Sequence, residues 1–200
     1  MPKFVYLASQ SPRRRQLLEQ LGVAYELLLT EPHEDAEALE AVLPGEAPLT
    51  YVQRVTALKL DAALARRRQR GLPPAPVLCS DTTVALGRSI FGKPVDAPDA
   101  VRMLQTLSGK THVVLTAVAL GTARKRVQVL SRSRVTFGAM TDAQIQAYVA
   151  SGEPMGKAGA YAVQGRAAAY IADLHGSYTG IMGLPLFETA NALRILGFKV

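Results

Sequence analysis

The chain has 200 residues, 48% apolar and 20% charged, and its 23 basic and 16 acidic residues leave a net charge of +7. This is enough apolar material for a core and excludes a disordered chain; no window approaches the roughly 18 uninterrupted apolar residues of a membrane span. A single cysteine, Cys79, excludes an intramolecular disulfide and a cysteine-cluster metal site, and the positive charge favours anionic ligands without saying which.

In chain order, Phe4 to Ala8 reads as a short buried strand. The apolar stretch there is too short for a signal peptide, so the expected location is cytoplasmic. Ser9-Gln10-Ser11-Pro12 is a turn into a helix, with Ser11 as N-cap and Pro12 at the first helical position. Leu17, Leu18 and Leu21 recur at helical spacing before Gly22 closes the segment, and Tyr25 to Leu29 reads as a second strand. Residues 31–48 are acidic and proline-containing, an irregular or partly helical loop. A long helix is expected over Thr50–Arg70, stopped by Gly71-Leu72-Pro73-Pro74. Val77 to Leu86 reads as a strand interrupted by polar Ser80-Asp81-Thr82-Thr83, and Asp96-Ala97-Pro98-Asp99 opens a helix ending near Ser108-Gly109.

Val113–Leu120 and Val127–Phe137 read as an antiparallel pair. Thr141 and Gln144 form a capping-box pattern for a helix to about Ser151. Short strands are expected around Ala160–Val163 and Ala168–Leu174, then a last helix over Pro185–Leu196. There is no internal repeat, and one α/β domain with a mixed sheet over residues 1–200 is the expectation.

Four segments could carry chemistry. At Ser9-Gln10-Ser11-Pro12-Arg13-Arg14-Arg15, strand, turn and helix start bring unsatisfied N–H groups, hydroxyls and guanidinium forks together. A basic first turn opposes the helix dipole, so an anion is expected there. Asp81, set within an apolar strand, is costly to bury without a partner. It could hold a metal, orient water or accept a proton, or be a satisfied turn aspartate. Gly87 with Gly92-Lys93 mimics P-loop spacing, but Pro94 offers no hydroxyl, so Lys93 is either a free-standing phosphate lysine or part of a surface turn. Lys157 to Gly165 surrounds one amide, Gln164, with glycines that suit close approach to a flat ligand or a bulged strand. His33, His112 and His175 fit no local zinc pattern; His112 reads as structural and Cys79 as a buried thiol. The runs Arg66-Arg67-Arg68-Gln69-Arg70 and Arg124-Lys125-Arg126 read as solvated ends, and no nucleic-acid module accompanies them.

In order, Leu7-Ala8-Ser9-Gln10-Ser11-Pro12-Arg13-Arg14, Ser80-Asp81-Thr82, Gly92-Lys93-Pro94-Val95-Asp96, Leu107-Ser108-Gly109-Lys110-Thr111-His112, Lys157 to Gly165, Gly176-Ser177-Tyr178 and Gly183-Leu184-Pro185-Leu186 resemble the Maf family of nucleotide pyrophosphatases. The resemblance implies an elongated α/β fold, like that of inosine triphosphatases, with two lobes around a nucleotide cleft. It also implies cleavage of nucleoside triphosphates between the α- and β-phosphates with a divalent cation, Mg²⁺ or Mn²⁺. The catalytic proton acceptor falls on Asp81, phosphate positions on Ser9, Arg13, Arg14, Lys59 and Lys93, and the metal on Asp81 and Glu34, with Glu31, Asp35 and Glu37 close by. Lys157-Ala158-Gly159-Ala160-Tyr161 followed by Gln164-Gly165 resembles the branch acting on dTTP and UTP, whose specificity positions fall on Arg13, Thr82 and Gln164. The alternatives are the 7-methyl-GTP branch and a non-catalytic nucleotide or nucleic-acid binder regulating septum formation. The partner implied is a small nucleotide, not a membrane or nucleic acid; a homodimer is left open.

Overall fold

The computed structural model describes residues 4–31, 34 and 38–200. Met1, Pro2, Lys3, His33, Asp35 and Glu37 therefore lie outside the described residues, and with them two of the acidic candidates. Strand β1 (Val5–Leu7) leads through the Ser9 turn into α1 (Pro12–Gln20), and β2 (Tyr25–Leu27) follows. A single 3-10 turn, Ala38–Glu40, precedes α2 (Pro48–Gln69), β3 (Val77–Leu86) and β4 (Ser89–Phe91). Then come α3 (Ala97–Leu107), β5 (Thr111–Gly121), β6 (Arg126–Phe137), α4 (Asp142–Ala150), β7 (Ile171–His175), α5 (Tyr178–Met182) and α6 (Leu186–Ile195).

The sheet is mixed, in the order β2-β1-β3-β5-β6-β7, with β4 paired to β3 beside it. β1 runs parallel to β2 and β3, whereas β3, β5, β6 and β7 pair antiparallel. The α/β class with a mixed sheet is as the sequence implied. Strand alternation then fixes which residues face which helix. Val77 and Cys79 of β3, with Ala119 of β5, pack beneath Leu60, Ala63 and Leu64 of α2. Leu78, Val118 and Leu120 point the other way, onto Leu17 and Leu18 of α1 and Ala192 and Leu193 of α6. Continuing the period of two, Asp81 lies on the α2 side and Ser80 and Thr82 on the opposite side. A further apolar cluster joins Val84 and Phe137 to α3, α4 and Tyr161.

Several local expectations need correction. β3 is not interrupted: every residue from Val77 to Ala85 is in register with β5, because its polar side chains find partners on both faces. β4 was not anticipated, being only three residues held by the Gly87-Arg88 turn. Residues 160–163 are not a strand, since Gly159 and Ala160 both have positive φ (70° and 60°) and form a 3-10 turn over Ala158–Ala160. A further 3-10 turn, Arg166–Tyr170, replaces the first part of the strand expected over 168–174. Ser11 is the N-cap by position, but its side chain caps nothing; Ser9 Oγ accepts the Ser11 N–H instead, at 3.2 Å. The Thr141/Gln144 capping box is present in full.

The end of α2 is not a solvated arginine run either. Arg66 and Arg67 are buried, Arg66 donating to the Leu28 carbonyl and Arg67 to that of Ala75. No described helix is long and apolar enough to cross a membrane.

Candidate active site

One cavity of about 790 Å³ opens between the β1–α1 turn, the inner face of α2, β3, β4 and residues 156–164. Every residue singled out above as binding or catalytic lines it: Ser9, Arg13, Arg14, Glu34, Lys59, Asp81, Thr82, Lys93 and Gln164. They come from six separate stretches of chain. Tyr51, Lys59, Ala62 and Arg66 reach it from α2 because spacings of eight, three and four residues keep them on one helical face.

One end of the cavity is the start of α1. No acidic residue stands in its first turn, so nothing offsets the positive end of the helix dipole. Arg14 is fixed from both sides, Nε donating to the Gly183 carbonyl at 2.9 Å and Nη1 to Ser9 Oγ at 3.1 Å. Arg13 Nε donates to the Met182 carbonyl at 3.3 Å. Burial pulls both guanidinium groups below their ordinary pKa, with Asp81 partly opposing it at Arg14; both stay charged at any physiological pH. The Gly183 carbonyl also accepts from Ser80 Oγ at 2.9 Å, which ties the start of the last helical segment to β3.

Across the cavity the charges alternate. Asp81 is buried, and its Oδ1 accepts from Lys59 Nζ at 2.6 Å. The same ammonium donates to Glu40 Oε1 at 2.7 Å, and Glu40 Oε2 lies 3.6 Å from Lys93 Nζ. Burial disfavours the charged form of Glu40, but Lys59 and Lys93 outweigh it and hold its carboxyl below the usual range. Burial, with Asp81 and Glu40 adding to it, pushes the Tyr51 phenol up to about 12. Glu34 is held by Arg66, whose Nε lies 2.7 and 2.9 Å from its two carboxylate oxygens.

The third wall is the segment from Gly156 to Gln164. The Gly159 N–H donates to the Gly92 carbonyl at 3.0 Å, docking this segment against the strand end that carries Lys93. A Cβ at Gly159 would stand 2.9 Å from both Val84 methyl groups, so only glycine fits. Tyr161 OH is 2.8 Å from His112 Nε2, which anchors the segment to β5. Gln164 is exposed at the rim and its amide has no partner among the described residues. Thr82 Oγ1 is 3.0 Å from Thr116 Oγ1, which donates to the Gly180 carbonyl.

Sequence patterns assigned Glu40 and Lys157 no individual role and hid the burial of Arg66. Glu40 sits in an acidic stretch where nothing local distinguishes it from its neighbours. Lys157 lies in the glycine-spaced segment; burial and then Arg13 lower its pKa.

A divalent cation suits these donors. Asp81 and Glu40 already grip one cationic centre between them, the Lys59 ammonium, and Mg²⁺ needs only one or two carboxylates beside phosphate oxygens and water. Among the described residues no group of three or more His, Cys, Asp or Glu side chains forms a cage, so further ligands would come from the substrate and solvent.

The family model described as Maf-like protein matches residues 4–196. The chain belongs to the Maf family. Among Maf relatives, a protein of Albidiferax ferrireducens named dTTP/UTP pyrophosphatase is 74% identical over 200 residues, covering all of both chains. Proteins of the same name from Polaromonas sp. and Cupriavidus metallidurans are 68% and 64% identical, each comparison covering 98% of both chains. The Maf resemblance read from seven separated motifs therefore extends through the segments between them.

Proposed function

We propose that this protein hydrolyses dTTP and UTP to the monophosphate and pyrophosphate. The observation that carries the reading is the meeting of the Ser9–Arg14 turn, Lys59, Lys93 and the buried Asp81 in one cavity. Full-length relatives bearing that activity as their name support it. Substitution at phosphorus needs charge neutralisation and an aligned water more than covalent catalysis. Ser9, the α1 N-terminus, Arg13, Arg14 and Lys93 bind the phosphate oxygens. Asp81 orients the attacking water and accepts its proton.

Asp81 and a carboxylate of the acidic segment, where Glu34 and Glu40 both reach the cavity, would hold a Mg²⁺ or Mn²⁺ ion, which would supply charge neutralisation for the triphosphate. The Gln164 amide offers one donor and one acceptor, matching O4 and N3–H of uracil or thymine. Arg13 and Thr82 line the same cavity and help set which base fits. The test is a panel of nucleoside triphosphates, 7-methyl-GTP included, assayed for pyrophosphate with and without added metal. Metal-dependent release fastest with dTTP and UTP is expected. Orthophosphate as the first product, or no release from any triphosphate, would refute the reading.

A further inference from the structure

Glu40 is the acid of the cavity to which neither the motif pattern nor the family resemblance gives a task, and its main chain is fixed independently of its carboxylate. Tyr51 OH donates to the Glu40 carbonyl at 2.9 Å, and Arg54 donates to the Ala41 carbonyl at 2.8 Å while gripping Glu46 through two contacts of 2.7 Å. Arg88 donates to the Gly45 carbonyl at 2.9 Å. The segment is thus clamped to α2 and to the β3–β4 turn, and the Glu40 side chain reaches into the cavity towards both lysines.

There the carboxylates of Asp81 and Glu40 approach one ammonium from two sides, and Glu40 also faces Lys93. Such an array is self-neutralising while empty. A triphosphate entering it competes with Glu40 for Lys59 and Lys93, and freed carboxylates beside phosphate oxygens would repel unless a cation stood between them. Glu34, by contrast, is gripped by the buried Arg66, which also donates to the Leu28 carbonyl.

We infer that Glu40 is the second carboxylate of the metal site, and that the Lys59 ammonium keeps the cation position between Glu40 and Asp81 until metal and triphosphate arrive together. Lys59 and Lys93 then pass to phosphate oxygens, and the two carboxylates pass to the metal. This rests on the triphosphate reading above.

The test is Mn²⁺ binding by the full chain, read from the free aquo-ion signal in electron paramagnetic resonance. It is made with and without a uridine triphosphate analogue bridged by methylene between the α and β phosphorus atoms. Wild type should bind Mn²⁺ weakly alone and tightly with the analogue. Glu40→Gln should raise the Mn²⁺ Kd of the ternary complex by about tenfold or more, the scale on which disturbed metal ligation is felt. Its affinity for the analogue without metal should stay equal or improve, because an anion competing for the lysines has gone. Glu34→Gln should move the Mn²⁺ Kd less than Glu40→Gln does. Lys59→Met should strengthen Mn²⁺ binding without nucleotide, and adding Glu40→Gln to it should abolish the gain. A Glu40→Gln protein with the near-ultraviolet circular dichroism of wild type and an unchanged Mn²⁺ Kd overturns the assignment, as does a larger effect at Glu34. A wild-type protein that neither binds the analogue nor releases pyrophosphate refutes the triphosphate reading itself, which is a separate outcome.

Discussion

Acid should loosen this protein through His112 before the carboxylates are titrated. The imidazole is buried, edge-on to Phe137 and Tyr161, with Nε2 2.8 Å from Tyr161 OH, and burial lowers its pKa from 6.5 to about 4. Folded-state protonation is thus harder than protonation of the unfolded chain. The stabilising contribution is complete above about pH 6.5 and is lost as the pH falls towards 4, because the unfolded state takes up the proton first. With those two values, about 2 kcal/mol is gone by pH 5 and about 3 kcal/mol by pH 4. The assay is urea unfolding at fixed ionic strength from pH 7.5 to 4.5, on wild type and His112→Gln. Gln retains a polar group near Tyr161 OH but cannot titrate. Wild type should be the more stable at pH 7.5, and the gap should close steadily below pH 6.5. A gap that stays constant across the range would refute the assignment of a neutral, buried imidazole.

Other consequences concern the wall that His112 supports. Gly159→Ala places a methyl against Val84 at a residue with φ 70°, a combination costing about 1–3 kcal/mol. It should lower the unfolding midpoint in urea and raise KM for dTTP as the Gln164 segment shifts. Gln164→Ala removes an exposed amide with no structural partner, so thermal stability should hold while kcat/KM for dTTP and UTP falls by about tenfold relative to a purine triphosphate, the scale of one lost hydrogen bond to a base. Equal losses on all nucleotides would show that the amide does not read the base.

Local chemistry was legible in the sequence wherever a few adjacent residues determine the outcome. The capping box of α4, the helix start at Asp96 and the long helix α2 all form as the local sequence dictates. The residues from 160 to 163 misled, since two successive positive φ values at Gly159 and Ala160 override the apolar pattern that suggested a strand. β3 misled in the opposite sense: its polar run looked like a break, and only the positions of Lys59, Gly183 and Thr116 show how a continuous strand satisfies it. The motifs singled out residues that share one cavity, but not Glu40, which lines it with them. Its meaning comes from Lys59 and Lys93, which are 19 and 53 positions away in a chain where every loop acid looks alike. Arg66 belongs with it, reading as a solvated helix end until Glu34 and the Leu28 carbonyl are seen to hold it.

The most direct measurement is pyrophosphate release from dTTP by Asp81→Asn at saturating Mg²⁺, beside wild type. Asparagine keeps the shape and loses the proton acceptor and the charge facing Lys59. The account predicts a folded protein whose kcat is down by about 10²–10⁴-fold, the range for removing a positioned base. Turnover equal to wild type would contradict it, because the carboxylate at the centre of the cavity would then have no part in the reaction.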